Sequence, residues 1–150
     1  MNIKDDNSDQ LSATNKVINP KSLDDIVRKV RDELQIRLAN ELEIQGMQAD
    51  IDMSTSEDIY DNWSLISFIT PHHTYFRLIG EARSCKKIKI SSSIFLVDSK
   101  NSAASTWIGP VYQLGTPNEG EPDINHLMCL CFYLHDIGIG STFGVPEFFY

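Results

Sequence analysis

The chain has 150 residues, 41% of them hydrophobic and 23% charged, with a formal net charge of -8 at pH 7. That length suits one domain able to bury ~70% of the surface its unfolded form exposes, and the balance excludes a wholly disordered, collagenous or fibrous chain. No run approaches the ~20 apolar residues of a membrane span, the opening MNIKDDNSDQ is unlike a secretory signal, and three cysteines do not make a disulfide framework, so the expectation is a cytoplasmic protein with no membrane contact.

Residues 1–20 mix Asn, Asp, Ser and Lys and end at Asn19-Pro20, which reads as a flexible arm; residues 21–150 then form a single α+β domain. Ser22 stands where an N-cap belongs, with Asp24 and Asp25 in the first turn. Leu23, Ile26, Val27, Val30, Leu34, Leu38 and Leu42 follow at three- and four-residue steps, and Gly46 is a natural stop. The spacing predicts one long helix whose other face carries the i,i+4 pairs Asp24–Arg28, Asp25–Lys29 and Glu33–Arg37. Its apolar stripe suits packing on the protein's own sheet better than a coiled coil, because no heptad pattern is sustained.

From residue 49 onward the pattern changes to short apolar runs. Strands are predicted over 51–55, 63–70, 74–81, 87–97 and 105–114, separated by gaps too short for parallel crossovers, so the sheet is expected to be antiparallel with about five strands. Gly109-Pro110 inside the last run should mark a bulge or an edge. Asp123 can cap a helix over 124–136 that is apolar all round and therefore buried, although a fully buried strand over 127–134 remains open. The Gly-rich tail can finish as a short edge strand at Phe148-Phe149-Tyr150.

Charge is uneven along the chain. Asp50, Asp52, Glu57, Asp58 and Asp61 lie in a stretch without Lys or Arg; Arg77, Arg83, Lys86, Lys87, Lys89 and Lys100 crowd the middle; after Lys100 no Lys or Arg follows. A net-negative chain is repelled by nucleic acid at long range, and the basic middle carries no nucleic-acid reader motif, so direct nucleic-acid binding is not expected.

Sets of reactive residues can be argued down by geometry. His126, Cys129, Cys131 and His135 are suitable zinc ligands, but on one helix Cys131 and His135 point roughly opposite to His126, so no metal is expected. Gly138-Ile139-Gly140-Ser141-Thr142-Phe143-Gly144 fits neither phosphate-loop spacing and reads as a turn. His72-His73 follows Pro71 in a turn; one of them could serve as a general base with Cys85 or an acid of 57–61, yet no motif sets a nucleophile beside them.

Residues 89–117 contain a Ser-rich strand and then Thr106-x-x-Gly109-x-x-Tyr112-x-Leu114-Gly115-x-Pro117. This run resembles a strand–turn–strand cassette of small uncharacterised bacterial and phage proteins. The resemblance implies a bacterial or phage accessory protein and brings no assigned activity or cofactor.

The expected fold is α+β, a long N-terminal helix on an antiparallel sheet of about five strands with a second, buried helix near the C-terminus. The expected function is that of a non-catalytic acidic binding protein, most simply an immunity protein that neutralises a basic, nuclease-like toxin, present as a monomer or weak homodimer without cofactor or metal. Its contact acids would be Glu57, Asp58 and Asp61, on a loop before a strand, with Tyr60 or Trp63 as aromatic anchor. The alternatives are a small enzyme or ligand-binding domain using His72 and His73, and a phage-encoded inhibitor or DNA mimic.

Overall fold

The computed structural model describes residues 19–147, so the arm up to residue 18 and the strand expected at 148–150 lie outside the described residues. Seven strands form one mixed sheet: β1 (Gln35–Leu38), β2 (Ser56–Ile69), β3 (Thr74–Ala82), β4 (Lys87–Ile90), β5 (Ile94–Asp98), β6 (Ala103–Thr106) and β7 (Val111–Leu114). Two helices accompany them, α1 (Glu41–Gly46) and α2 (Ile124–Asp136). The sheet runs β4-β3-β2-β7-β6-β5, with β1 as a further partner of β2.

The expected long N-terminal helix does not form. Residues Leu23–Asp25 make a single 3-10 turn, Ser22 makes no side-chain cap, and β1 and then α1 follow. Two local signals overlap here, and the sheet decides between them. Leu34, Ile36 and Leu38 also alternate with period two, and the edge of β2 offers Ile66–Ile69 as a partner for that alternation, which an isolated helix of the same residues cannot match. Val30 adopts φ +53, which ends any helix, and Leu42 is 80% exposed instead of packed. None of the three i,i+4 ion pairs forms among the described residues; Arg28 pairs with Asp25, Arg31 with Asp24 and Arg37 with Glu43.

The strand predictions need similar correction. The run 51–55 is a loop with a 3-10 turn at Met53–Thr55, and β2 begins well before residue 63. The run 87–97 breaks at residues 91–93 into β4 and β5, and 105–114 breaks around Gly109-Pro110, where Thr106 N–H donates to the Pro110 carbonyl at 2.9 Å, into β6 and β7. The sheet is not purely antiparallel, because β7 returns parallel to the first half of β2, Ser56 to Tyr60.

β2 organises both sides of the sheet. Between Asp61 and Ser64 its register against β3 slips by one residue, with Asn62 at φ +51. Such a bulge swaps the buried parity of a strand. Tyr60 before the bulge and Leu65 after it therefore share one core with Leu78, Ala82, Ile94, Val97, Ala104 and Leu114, while Ile66 and Phe68 face the other. Gly80 lies opposite the slip, where an added Cβ would come within 3.1 Å of the Trp63 Cα and of the Asp61 carbonyl. The second core gathers Ile66, Phe68 and Ile79 under α2 and under the segment from Leu23 to Leu34.

α2 settles the alternative at 127–134 in favour of helix, with the Asp123 carboxylate accepting from His126 N–H at 3.0 Å. It is one-sided, not apolar on all faces inward: His126, Leu127, Leu130, Cys131 and Leu134 are buried, and Met128, Cys129, Phe132 and Tyr133 are only partly so. On the opposite side the sheet curls until β3 and β5, well apart in strand order, touch across the first core. Segment 47–49 then runs beside β5, Val97 donating to the Met47 carbonyl at 2.9 Å and accepting from Ala49 N–H at 3.0 Å. No helix among the described residues is long and apolar enough to cross a membrane.

Leu130→Ala should lower stability by about 2–5 kcal/mol in urea titration, since a fully buried leucine leaves a cavity. Leu42→Ala should stay within about 0.5 kcal/mol, as an exposed side chain does. A large loss at Leu42 would restore the long packed helix.

Candidate functional site

A cleft of about 620 Å³ opens on the curled side, between β3 and β5. Thr74, Tyr75, Phe76 and Arg77 form one wall and Ser92, Ser93, Ile94 and Phe95 the other, with Gly46 and Met47 behind and Trp107 and Ile108 over the mouth. Of the large hydrophobic side chains that stay exposed, Tyr75, Phe95, Trp107 and Ile108 gather here, the last two 69% and 75% exposed.

Local chemistry sets each of these groups in place. Thr106 donates both its N–H and its Oγ1 hydroxyl to the Pro110 carbonyl, each at 2.9 Å, and Gly109 at φ +126 completes the reversal, so Trp107 and Ile108 occupy the tip of a tight turn. Trp107 N–H donates to the Ser93 carbonyl at 3.0 Å, which holds the turn against the start of β5. Phe95 falls where β5 slips register against β6 between Ile94 and Leu96, and bulges of this kind re-aim a side chain. It meets Trp107 edge to face, with ring centroids 4.6 Å apart.

The back of the cleft depends on α1. Asn40 and Glu43 cap each other reciprocally, Asn40 Oδ1 accepting from Glu43 N–H at 2.8 Å and Glu43 Oε1 accepting from Asn40 N–H at 2.9 Å. Arg37 grips the same carboxylate at 2.6 and 3.1 Å, and the buried Ser67 hydroxyl donates to it at 3.1 Å. Burial opposes the charge on Glu43, but the Arg37, Asn40 and Ser67 hydrogen bonds outweigh it and hold its carboxyl below the usual range.

The acids expected to touch a partner lie elsewhere, and not on a loop. Glu57, Asp58, Tyr60, Asp61 and Trp63 all belong to β2. Tyr60 is 3% exposed, its ring tilted against that of Tyr112 with centroids 4.9 Å apart, and its hydroxyl is pushed far up in pKa, first by burial and then by Tyr112 and Asp58, so it lies in the core and not on the surface. Trp63 is half-buried and donates Nε1–H to the Gly115 carbonyl at 3.1 Å. Asp61 takes a two-point contact from Arg83 at 2.6 and 3.0 Å and a third hydrogen bond from Thr116 N–H at 3.2 Å. An added Cβ on Gly115 would stand 2.1 Å from its Oδ1 and 3.0 Å from the Tyr60 carbonyl oxygen, so a larger residue there would displace the Asp61 carboxylate. The Arg83 contact, then Thr116, holds the Asp61 carboxyl below its ordinary value. For Asp58, burial raises the pKa, but hydrogen bonds from Ser84 and Ile59 and the nearby Lys89 more than offset it. Glu57 alone among the three is exposed. The acid stretch that lacks counter-charges along the sequence thus finds Arg83 and Lys89 in space.

The residues of the enzyme reading are not brought together. His72 and His73 sit exposed in the β2–β3 turn and Cys85 in the β3–β4 turn, at opposite ends of a nine-residue strand, roughly 30 Å apart at ~3.3 Å per residue. His73 instead lies beside Tyr75, with ring centroids 6.0 Å apart. Among the possible zinc ligands, Cys131 is buried and its thiol is pushed up to about 12, first by burial, while His135 Nε2 lies 3.0 Å from the Val145 carbonyl; no metal-holding group of three was found among the described residues.

The cleft residues carry a signal that the pattern of strands obscures. Large apolar groups at 107 and 108, immediately before Gly109-Pro110, occupy a turn where Asn, Asp or Ser is usual, and Phe95 is one residue too many in an alternating strand.

Because Asp58 and Asp61 have depressed folded values, their stabilising contribution is complete above the ordinary carboxylate range near ~4 and is lost as pH falls through the folded values. Asp61→Asn should therefore show a shallower acid loss than wild type when urea midpoints at pH 7 and pH 3 are compared. Identical losses would show that the Asp61–Arg83 contact contributes nothing.

Compared with known proteins, the chain matches no protein-family model, no curated protein and no solved structure.

Proposed function

We propose that the protein is a binding protein and that the cleft between β3 and β5 seats its partner. One observation carries this reading: Tyr75, Phe95, Trp107 and Ile108, from three separate stretches of chain, converge on one opening and remain exposed. Leaving such groups in water forgoes ~25 cal/mol for each Å² that burial would remove, and clustered aromatic side chains are where binding energy concentrates at interfaces.

The net charge of -8 supports a basic partner, drawn in at long range. On that ground the biological role proposed is that of an immunity protein neutralising a basic toxin, without turnover of its own. Asp58 and Asp61, already engaged by Ser84 and Arg83, would contribute field more than contact, whereas Glu57 is free to do both. The bacterial or phage accessory role implied by the 89–117 resemblance fits the same reading. A DNA mimic fits less well, since its acids would need to stand unpaired.

Trp107→Ala combined with Ile108→Ser should leave the melting temperature within a few degrees, because both side chains are exposed. Calorimetric titration with the partner recovered by the wild-type protein should show at least a tenfold weaker affinity, or about 1.4 kcal/mol. Association by the wild type should slow as salt is added. Unchanged affinity in the double variant would remove the cleft as the site.

A further inference from the structure

We infer that the cleft takes an extended polypeptide segment, which adds as a strand to the open edge of β3 while its alternate side chains enter the apolar cavity. This rests on the reading of the cleft as the partner site and names the chemistry of its occupant.

Successive residues of a strand point to opposite faces. A wall made of Thr74, Tyr75, Phe76 and Arg77 in succession is therefore the strand's edge, not one of its faces. Which backbone groups point outward follows from the ladder. Thr70 N–H donates to the His73 carbonyl, and Ala39 N–H donates to the Leu65 carbonyl on the far side of β2, so the even residues of β2 from 64 to 70 exchange hydrogen bonds with β3 and the odd ones with β1. In β3 this turns Thr74, Phe76 and Leu78 outward. Leu78 confirms the phase: its N–H donates to Ser91 Oγ at 2.9 Å and its carbonyl accepts from Ser91 N–H at 2.8 Å. β4 pairs with β3 only from Ile79 to Ala82. The outward N–H and C=O of Thr74 and Phe76 thus have no hydrogen-bond partner among the described residues, and they face the cleft. Four backbone groups in this spacing present two rungs of a β ladder, which an extended peptide can complete and an apolar small molecule cannot.

The exposed apolar groups beside these rungs supply the other half of the site. With ~150–250 Å² for each ring, the exposed parts of Tyr75, Phe95, Trp107 and Ile108 offer on the order of 500 Å². A globular interface of about 800 Å² on each partner is itself only a little over half apolar, so area alone does not choose the occupant; the two open rungs beside this patch are what single out an extended strand. The arrangement is therefore an edge for main-chain pairing beside a pocket for side-chain selection.

A displayed heptapeptide library selected on the wild-type protein, with Trp107→Ala as counter-selection, tests this. The expected result is enrichment of sequences apolar at alternate positions. A synthetic enriched peptide should slow amide exchange at Thr74 and Phe76 at least tenfold, and N-methylation of its ladder-facing amides should weaken binding at least tenfold. If the N-methylated peptide binds as well as its parent, or the two amides exchange unchanged, strand addition is overturned while the cleft stands as a binding site. If no peptide is enriched but 8-anilinonaphthalene-1-sulfonate binds the wild type and not Trp107→Ala, the occupant is a small apolar molecule and the inference is overturned. If neither binds, the cleft reading falls together with it.

Discussion

Everything in this fold hangs on the bulge in the middle of β2. A strand of 14 residues that kept strict alternation would present one set of side chains to one face along its whole length. The extra residue between Asp61 and Ser64 lets the first half send Tyr60 into the curled core and the second half send Leu65 there, so the two halves serve one interior although their parities differ. The same slip lets β2 change partners along one edge, from β7 in its first half to β1 in its second. Asn62 accepts the left-handed backbone that this requires, a conformation asparagine tolerates better than most residues, and Gly80 leaves room opposite.

The charged groups follow from that geometry. Asp61 leaves β2 just before the slip, where the ends of β3 and β7 come together, and its carboxylate ties Arg83 of the β3–β4 turn to Thr116 beyond β7. Glu43 does the equivalent at the other end of the sheet, joining α1 to Arg37 of β1 and Ser67 of β2. Asp98 fastens the loop after α1, accepting from Ile51 N–H at 3.0 Å and from Asn101 N–H at 3.1 Å. These acids are held ionised by donors at strand ends, so they belong to the scaffold before they belong to any partner.

The cleft is the complement of this scaffold. Curling brings β3 and β5 toward each other but leaves the upper edge of β3 without a neighbour, because β4 has already ended and the chain crosses to β5 through Ser91. Natural sheets usually protect such an edge with charge, proline or a covering loop. Here it is bordered by Tyr75, Phe95 and the Trp107–Ile108 turn, which makes the edge a recognition surface in the proposed reading.

Several parts of the structure were legible in the residues themselves. Asp123 before an apolar run announces the start of α2, Lys87 through Ile90 alternates as a strand should, and Pro71, Gly109-Pro110 and the Gly-rich stretch after Asp136 mark reversals, because these depend on local backbone preferences. The segment from Leu23 to Leu42 was not legible. Its apolar residues satisfy a helical period and, from Leu34 to Leu38, a two-residue period as well, and only the presence of β2 as a partner selects the second. The parallel pairing of β7 with β2 spans some fifty residues of sequence and has no local signature. The cations beside Asp58 and Asp61 arrive from β4 and from the β3–β4 turn, so composition along the chain could not show that these two acids are compensated. Likewise Trp107 and Ile108 are unusual for a turn and Phe95 breaks an alternation, but that these residues and Tyr75 stand around a single opening was decided by the curl of the sheet.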